Sequence, residues 1–294
     1  MTTSAEPRSG RTTRWRPEMP AWSGPLLALP LIVMVAIFVV IPLVGMVIGS
    51  FGEGFDLSAY TEFLESAAQR KALLITFRDS LIVTALALVI GSVVAWNLRV
   101  TTSRVLRAVL WTAVAIPFLM GVVIKNYAMS IVLQANGILS RIWEALPFTE
   151  GKINLMYTPT AVVIGILYSL LPFGIMALVV AFNSIDPELV RAAESLGASR
   201  TRALLSVILP LGAPGILAAG ALIFMLSIGF YVTPVMLGGA DAPFLATLIQ
   251  RQIFIMYDNQ GASASGTILI VAAIVVLVAA VCVVGTRRLK RAMS

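Results

Sequence analysis

Six long apolar stretches, separated by shorter polar segments, dominate the hydrophobic pattern of the chain. They cover residues 26–48, 81–98, 106–133, 159–182, 213–237 and 267–285. A helix of about 20 apolar residues crosses the hydrocarbon core of a bilayer, so each stretch is long enough to span it. The stretches do not alternate polar and apolar positions, as the strands of a membrane barrel do. The pattern therefore predicts an all-α membrane protein with six transmembrane helices.

Prolines and length predict irregularities inside three of these spans. Residues 106–133 would make a straight helix of about 42 Å, against a hydrocarbon core of about 30 Å. We therefore expect this span to tilt, or to break between Pro117 and Gly121. Pro172 and Pro234 predict kinks in the fourth and fifth spans, because proline removes a helical hydrogen bond.

Three connecting segments also have helical character. Residues 57–77 read as a partly helical external segment that precedes the second span. Residues 138–146 and 244–256 predict short amphipathic helices at the outer surface. These two helices either receive an extracytoplasmic partner or simply cover the outer rim, and the sequence leaves both readings open.

One long polar interruption, DPELVRAAESLGASRTRALLSVILP at residues 186–210, separates the fourth and fifth spans. We call it the projection. Asp186 suits the capping position of a first helix, and Gly197 suits the left-handed position just past its end. Ser199 can cap a second helix, which Pro210 is expected to stop.

The first helix of the projection carries two different faces. Its apolar positions recur at helical spacing and predict one small apolar face: Leu189, Ala192, Ala193 and Leu196. Three charged residues lie three apart on another face, where opposite charges can pair: Glu188, Arg191 and Glu194. The projection thus reads as a compact helical docking element for a motor protein.

Basic residues decide the orientation, because loops on the cytoplasmic side are enriched in Lys and Arg. With both termini in the cytoplasm, 14 of the 21 basic residues lie inside, including four arginines in residues 1–22. Those first 22 residues are rich in Thr, Ser, Gly and Pro and predict a disordered basic cytoplasmic tail. The six-helix domain then occupies residues 23–294, and the projection faces the cytoplasm.

Composition excludes several classes of function. The chain has no histidine and one cysteine, Cys282, which removes the usual zinc and copper ligand sets and leaves no metal site. It has no Gly-x4-Gly-Lys-Ser/Thr loop for ATP, and no nucleophile–base pair with histidine, so we assign no catalytic residues. The net charge of +7 comes from basic residues that flank apolar spans, which argues for membrane lipid and against nucleic acid.

Four polar residues inside spans are candidates for a solute pathway. Lys125 and Asn126 lie in the third span, and Tyr231 and Thr233 lie in the fifth, between Gly229 and Pro234. Ionisable residues within spans are functional candidates by default. Lys125 could instead extend to the outer headgroups, and the residues of the fifth span could serve ordinary helix packing.

Acidic residues are missing from the middle of the predicted spans, since Asp79, Asp241 and Asp258 lie at their outer ends. The sequence therefore predicts no deep site for a cation. The runner-up function is an ion-coupled secondary transporter acting without an ATPase, but such proteins usually carry intramembrane acids. A membrane scaffold is a third reading, which the glycine and proline spacing of the projection disfavours.

The projection resembles the cytoplasmic loop of permease subunits of binding-protein-dependent ABC importers. That family's pattern is Glu-Ala-Ala, three residues, Gly, nine residues, Ile, one residue, Leu-Pro. The matching positions here are Ala192, Ala193, Gly197, Leu209 and Pro210. Arg191 replaces the glutamate, which removes any salt bridge assigned to that position, and Val207 replaces the isoleucine.

Two further segments, MYTPTAVVIGILYSLLPFGIMA at 156–177 and FYVTPVMLGG at 230–239, are similar to the spermidine/putrescine subgroup, in particular the first of its two permeases. The resemblance covers about residues 76–288 and implies the type I importer fold in a bacterial inner membrane. The substrate it implies is a small solute such as spermidine, putrescine or a related amine.

The resemblance also implies an assembly. The partners would be a second homologous permease, two ATP-binding-cassette subunits that hold the ATP and Mg²⁺, and an extracytoplasmic solute-binding protein. This chain would bind no cofactor itself. Its coupling loop, residues 184–212, would insert its Ala-Ala-x3-Gly helix, with Arg191, Glu194 and their neighbours, into an ATPase groove and pass on the closing motion.

Overall fold

The computed structural model describes residues 23–52, 54–146, 151–239 and 242–292. All regular elements in these ranges are helical. The α-helices are α1 Ser23–Val35, α2 Ile41–Ser50, α3 Ser58–Glu65, α4 Ala67–Val100, α5 Arg104–Leu119, α6 Val122–Leu133, α7 Ile138–Glu144, α8 Pro159–Asn183, α9 Pro187–Ser195, α10 Arg200–Ala203, α11 Leu209–Ile228, α12 Val232–Leu237, α13 Leu245–Arg251 and α14 Asn259–Ala292. Three π-helical turns accompany them: Ala36–Val40, Leu204–Ile208 and Gln252–Met256. The predicted basic tail, residues 1–22, lies outside the described residues.

Among the residues that the structure describes, six helical stretches are long and apolar enough to cross a membrane, which confirms the all-α, six-span prediction. They are Ala28–Ser50, Ala67–Val100, Val122–Glu144, Pro159–Asn183, Thr201–Ile228 and Asn259–Ala280. The third stretch is not the predicted 106–133, because it leaves out α5 and continues from α6 into α7, which was expected at the surface. The chain divides into two compact units, Met1–Ile48 and Gly49–Ser294. The first unit contributes an apolar helix whose side chains are largely exposed, and the second contains the packed core.

The second span begins earlier than the sequence suggested. Residues 57–77 are not one external segment, because only α3 stands apart and Ser66 then starts the 34-residue helix α4. The Ser66 hydroxyl accepts a hydrogen bond from the Gln69 amide at 3.4 Å, as a capping serine does. Ala72 and Thr76 in the first turns are fully buried, so tertiary packing extends the helix outward.

Two spans are broken. The helix expected between residues 106 and 133 ends at Leu119 and restarts at Val122, with Met120 and Gly121 extended, which confirms the expected break. In the fifth span the break falls between Ile228 and Val232, not at Pro234. Pro234 is the third residue of α12, where its missing amide hydrogen would have had no helical acceptor in any case. Helix α8 continues without interruption through Pro172.

The core of the second unit lies where α4, α8 and α11 pack together, and glycine permits their close approach. A Cβ at Gly174 of α8 would lie 2.7 Å from the Ile223 side chain, and one at Gly91 of α4 would lie 2.9 Å from Leu178. Small residues of this kind let helix backbones approach closely inside membranes. Val83, Ala87 and Ile223 are completely buried in this core.

The two short helices expected at the surface differ in burial. Helix α7 exposes Ile138 and Ile142, as an amphipathic surface helix would. The segment 244–256 is not only a surface helix, because Phe244 and Leu245 are fully buried and the Leu245 amide donates to the Thr76 hydroxyl at 2.9 Å. Its exposed apolar part is confined to the π turn that ends at Met256.

Candidate functional site

The first helix of the projection is closed at both ends by the residues that the sequence indicated. The Asp186 carboxylate accepts a hydrogen bond from the Glu188 amide at 2.9 Å, and Pro187 occupies the first turn. At the other end the Gly197 amide donates to the Glu194 carbonyl at 2.9 Å, and the Ala198 amide donates to the Ala193 carbonyl at 3.0 Å. This bond pair is the Schellman motif, and it needs the left-handed φ of +86° that Gly197 adopts.

The projection is fastened to the bundle on one side. Val190 is buried in a cluster with Phe182 and Ile185 at the end of α8. The Arg99 guanidinium at the end of α4 donates to the Ile185 carbonyl at 2.8 Å. These contacts fix α9 relative to α4 and α8, so a force applied to α9 acts directly on two spanning helices.

The opposite side of α9 is free and apolar. Leu196 is 90% exposed and Leu189 is 47% exposed, and Ala192 is also exposed. The predicted apolar face therefore points away from the core, because Val190 alone provides the buried contact. Leu189 and Leu196 therefore leave an apolar surface of the projection exposed beside the glycine turn.

The charged face carries no ion pair within the part of the chain that the structure describes. Arg191 and Glu194 are exposed, and neither forms a salt bridge, although the spacing with Glu188 allows one. An exposed pair of opposite charges three or four residues apart stabilises a helix by only a few tenths of a kcal/mol, about 0.2–0.5. These side chains are therefore available to a partner.

The second helix of the projection does not end at Pro210. Ser199 caps it, since its hydroxyl accepts from the Arg202 amide at 3.3 Å. Helix α10 then passes through the π turn Leu204–Ile208 directly into α11, with Leu209 half-buried and Pro210 exposed. A π turn rearranges the backbone hydrogen bonds just before the proline, so the chain stays helical. The same arrangement occurs at Pro42, which follows the π turn Ala36–Val40.

A cavity of about 460 Å³ lies beside both helix breaks, and we call it the aromatic cavity. It is bounded by four aromatic rings and two polar residues: Phe118, Phe173, Phe230, Tyr231, Lys125 and Ser169. The centroids of the Phe118 and Phe173 rings lie 5.0 Å apart, so these two rings contact each other in its wall. Ser169 is ten residues from the start of α8, which places the cavity roughly 15 Å along that helix.

Lys125 points inward and not to the membrane surface. Its side chain is only 4% exposed, and its ammonium donates to the Ser169 carbonyl at 3.3 Å. The headgroup reading of this residue is therefore wrong for this arrangement.

Asn126 and Thr233 join the two half-helices that follow the breaks. The Thr233 hydroxyl donates to the Asn126 amide oxygen at 2.8 Å, and both residues are buried. A Cβ at Gly165 of α8 would lie 2.7 Å from the Thr233 methyl, so glycine allows α12 to lie against α8. Of the four pathway candidates, Lys125 and Tyr231 line the cavity, whereas Asn126 and Thr233 hold α6 to α12.

Among the aromatic and polar residues of the cavity wall, sequence reasoning missed three: Phe118, Phe173 and Ser169. Phe118 and Phe173 each follow a proline, Pro117 and Pro172. An aromatic residue directly after a proline inside a predicted span is therefore the sequence feature that could have identified both as cavity residues. Ser169 had none, because serine is common at helix packing contacts.

Asp79 also lies deeper than expected. It is 1% exposed within α4, where one carboxylate oxygen accepts from the Arg78 guanidinium at 2.8 Å. Its other oxygen has no hydrogen-bond partner among the described residues. Asp79 was expected at the outer end of the second span, but α4 begins twelve residues before it, at Ala67, so Asp79 lies inside the helix.

A comparison with protein families gives a direct match. Residues 87–293 match the family described as the binding-protein-dependent transport system inner membrane component. The matched region is 207 of the chain's 294 residues. The chain belongs to this family. It is a permease subunit and a multi-pass protein of the bacterial inner membrane.

Individual relatives of this permease carry related names. The spermidine/putrescine transport system permease protein PotB of Escherichia coli (strain K12) is 33% identical over 225 residues, covering 76% of this chain and 81% of PotB. The inner membrane ABC transporter permease protein YdcU of the same organism is 26% identical over 211 residues, covering 68% of this chain and 64% of YdcU. These relatives are transport permeases and not enzymes.

Solved structures share the fold of the permease. One is the bacterial alginate ABC transporter in complex with alginate pentasaccharide-bound periplasmic protein, with a TM-score of 0.68, 19% identity and coverage of 88% of this chain and 92% of that chain. Another is the MetNI methionine ABC transporter in an inward-facing conformation, with a TM-score of 0.56, 16% identity and coverage of 76% and 94%. The importer permease fold is confirmed by these similarities.

Proposed function

We propose that this permease imports a small organic amine, of the spermidine/putrescine class, and that separate ATPase subunits drive it through the projection. In this proposal both termini and the coupling loop, residues 184–212, face the cytoplasm. Two ATPase subunits bind ATP and Mg²⁺, a second homologous permease completes the membrane channel, and a solute-binding protein delivers the substrate from outside.

The observation that carries the coupling proposal is the exposed apolar face of α9. Leu189 and Leu196 project from a helix that Val190, Ile185 and Arg99 hold against the spans. Burying a leucine side chain contributes about 1.5–3 kcal/mol, so two leucines suffice for a specific docking contact. Both the free face and the rigid base are needed to transmit a motion.

Two observations support the partners and the substrate class. The alginate transporter of the same fold was solved with a periplasmic protein, and the family itself is named for its dependence on binding proteins. PotB, 33% identical, transports spermidine and putrescine by its name. The aromatic cavity can accommodate methylene chains, and the discrimination between amines would lie in the binding protein.

The experiment is a purification of the tagged permease from its native membrane, followed by reconstitution into vesicles with whatever subunits accompany it. We expect a second six-span permease and an ATPase to co-purify, and spermidine or putrescine uptake to require ATP. Uptake without ATP, driven by an ion gradient, would overturn the proposal.

That outcome would indicate the second candidate, an ion-coupled secondary transporter. The observation that favours it is Asp79, whose free carboxylate oxygen is buried inside α4. Replacement of Asp79 by Asn separates the two candidates, because an ion-coupled transporter would lose the gradient dependence of uptake whereas an ATP-driven importer would keep its ATP dependence.

A further inference from the structure

The ammonium of Lys125 lies in the aromatic cavity without a counter-ion. Within the described ranges no carboxylate lies at ion-pair distance from it, and its contact at 3.3 Å is the neutral Ser169 carbonyl. We propose that Lys125 is an electrostatic barrier that stops small cations from leaking through the permease in the arrangement described here. The inference rests on the proposed transport function, because it assumes that the cavity belongs to the solute route.

The surroundings strengthen the field of this charge. Val122, the first residue of α6, lines the same cavity, so the positive end of that helix also faces it. The rest of the wall is mainly apolar, and charges in such surroundings interact over longer distances than in water. At 4–6 Å from the ammonium and an effective dielectric constant of about 20, a second positive charge is disfavoured by about 100- to 1,000-fold.

Without the ammonium the same cavity would attract cations. Four aromatic residues line it, and the faces of aromatic rings bind ammonium and other cations favourably. The charge of Lys125 therefore makes cation binding unfavourable in a cavity that would otherwise bind cations. The barrier exists while the ammonium on α6 contacts the Ser169 carbonyl of α8. A transport step that separates α6 from α8 would break this contact and move the charge out of the cavity.

The test compares passive leak through three forms of the purified complex in lipid vesicles without ATP. Potassium entry is followed with a potassium-sensitive dye inside the vesicles, for the wild type, Lys125→Met and Lys125→Arg. Met keeps the length of the side chain and removes its charge, whereas Arg keeps the charge. We expect potassium entry to rise at least about tenfold in Lys125→Met and to stay at the wild-type level in Lys125→Arg.

A second variant keeps the inference testable if Lys125→Met fails to fold. Val122→Glu leaves Lys125 in place and introduces a compensating carboxylate at the cavity wall, and Val122→Gln is its neutral control. We expect a raised leak with Glu and a wild-type leak with Gln. Wild-type leak in a folded Lys125→Met or Val122→Glu complex, or equal leak in Lys125→Met and Lys125→Arg, would refute the barrier.

The leak measurement is independent of coupling to an ATPase. A permease that recruits no ATPase would refute the docking proposal, yet the comparison of the charge variants would still decide the barrier. Conversely, ATP-driven amine uptake with no difference in leak among folded variants would retain the proposed function and remove this inference.

Discussion

Leu196→Ala tests the docking surface with a quantity that follows from the structure. Leu196 is 90% exposed and directly follows the last residue of α9, so shortening it should change the free energy of unfolding by less than about 0.5 kcal/mol. If an ATPase subunit buries this side chain, the loss of three carbons at about 0.8 kcal/mol each weakens binding by about 2 kcal/mol. That corresponds to a dissociation constant raised about 30-fold.

The assay titrates the labelled ATPase that co-purifies with the wild type against the permease in lipid nanodiscs. Leu64→Ala is the matched control, because Leu64 is also an exposed leucine, on the short helix α3 outside the projection. We expect the control to bind like the wild type. Equal affinity of Leu196→Ala and the wild type, within twofold, would refute the docking role of this face.

Three further outcomes are expected. Gly197→Val forces a branched residue into φ +86°, which costs at least about 1–2 kcal/mol locally. The amount of ATPase that co-purifies should therefore fall, while membrane insertion is unchanged. Gly54→Val, at φ +83° outside the projection, is the control. Thr233→Val leaves the Asn126 amide oxygen unpaired in the core and should lower stability to thermal unfolding by about 1–3 kcal/mol, whereas Thr233→Ser should retain most of it. The Asp56 carboxylate accepts hydrogen bonds from the Ser58 hydroxyl and amide, which lower its pKa below the usual 3.8. The contribution of these hydrogen bonds is therefore present above pH 3.8 and lost as the pH falls below it. The amide protection factors at the start of α3, which correct for the intrinsic exchange rate, should fall only there, with Asp56→Asn showing no such change.

Prolines show how far the sequence could predict the fold. The break near Pro117 was predictable, because excess span length and a proline both indicated it. Pro210 and Pro234 were misread because the effect of a proline depends on the turn that precedes it. At Pro210 a π turn adjusts the helix, and at Pro234 the residue lies in a first turn whose amides need no helical acceptor.

In the candidate site, too, the sequence predicts the local features but not those that depend on distant contacts. The caps at Asp186 and Ser199 and the turn at Gly197 are local, and the sequence predicted each of them. The direction of Lys125 depends on Ser169, 44 residues away, and a flexible four-carbon stem could have reached either the headgroups or the interior. Such choices are made by the packing of distant helices, which periodicity along the chain does not encode.

Helix α10, the π turn and α11 form one uninterrupted helical rod between the projection and the aromatic cavity. The stretch Thr201–Ile228 has 28 residues and is about 42 Å long. One end adjoins the exposed leucines of α9, and the other ends at the break beside Phe230, in the wall of the aromatic cavity. Tilting a rod of this length by about 5° about its near end displaces its far end by about 4 Å, more than the diameter of a water molecule. The absence of a stop at Pro210 therefore gives the chain a lever arm, through which, under the proposed coupling, a small rotation of α9 would become a change of width at the cavity.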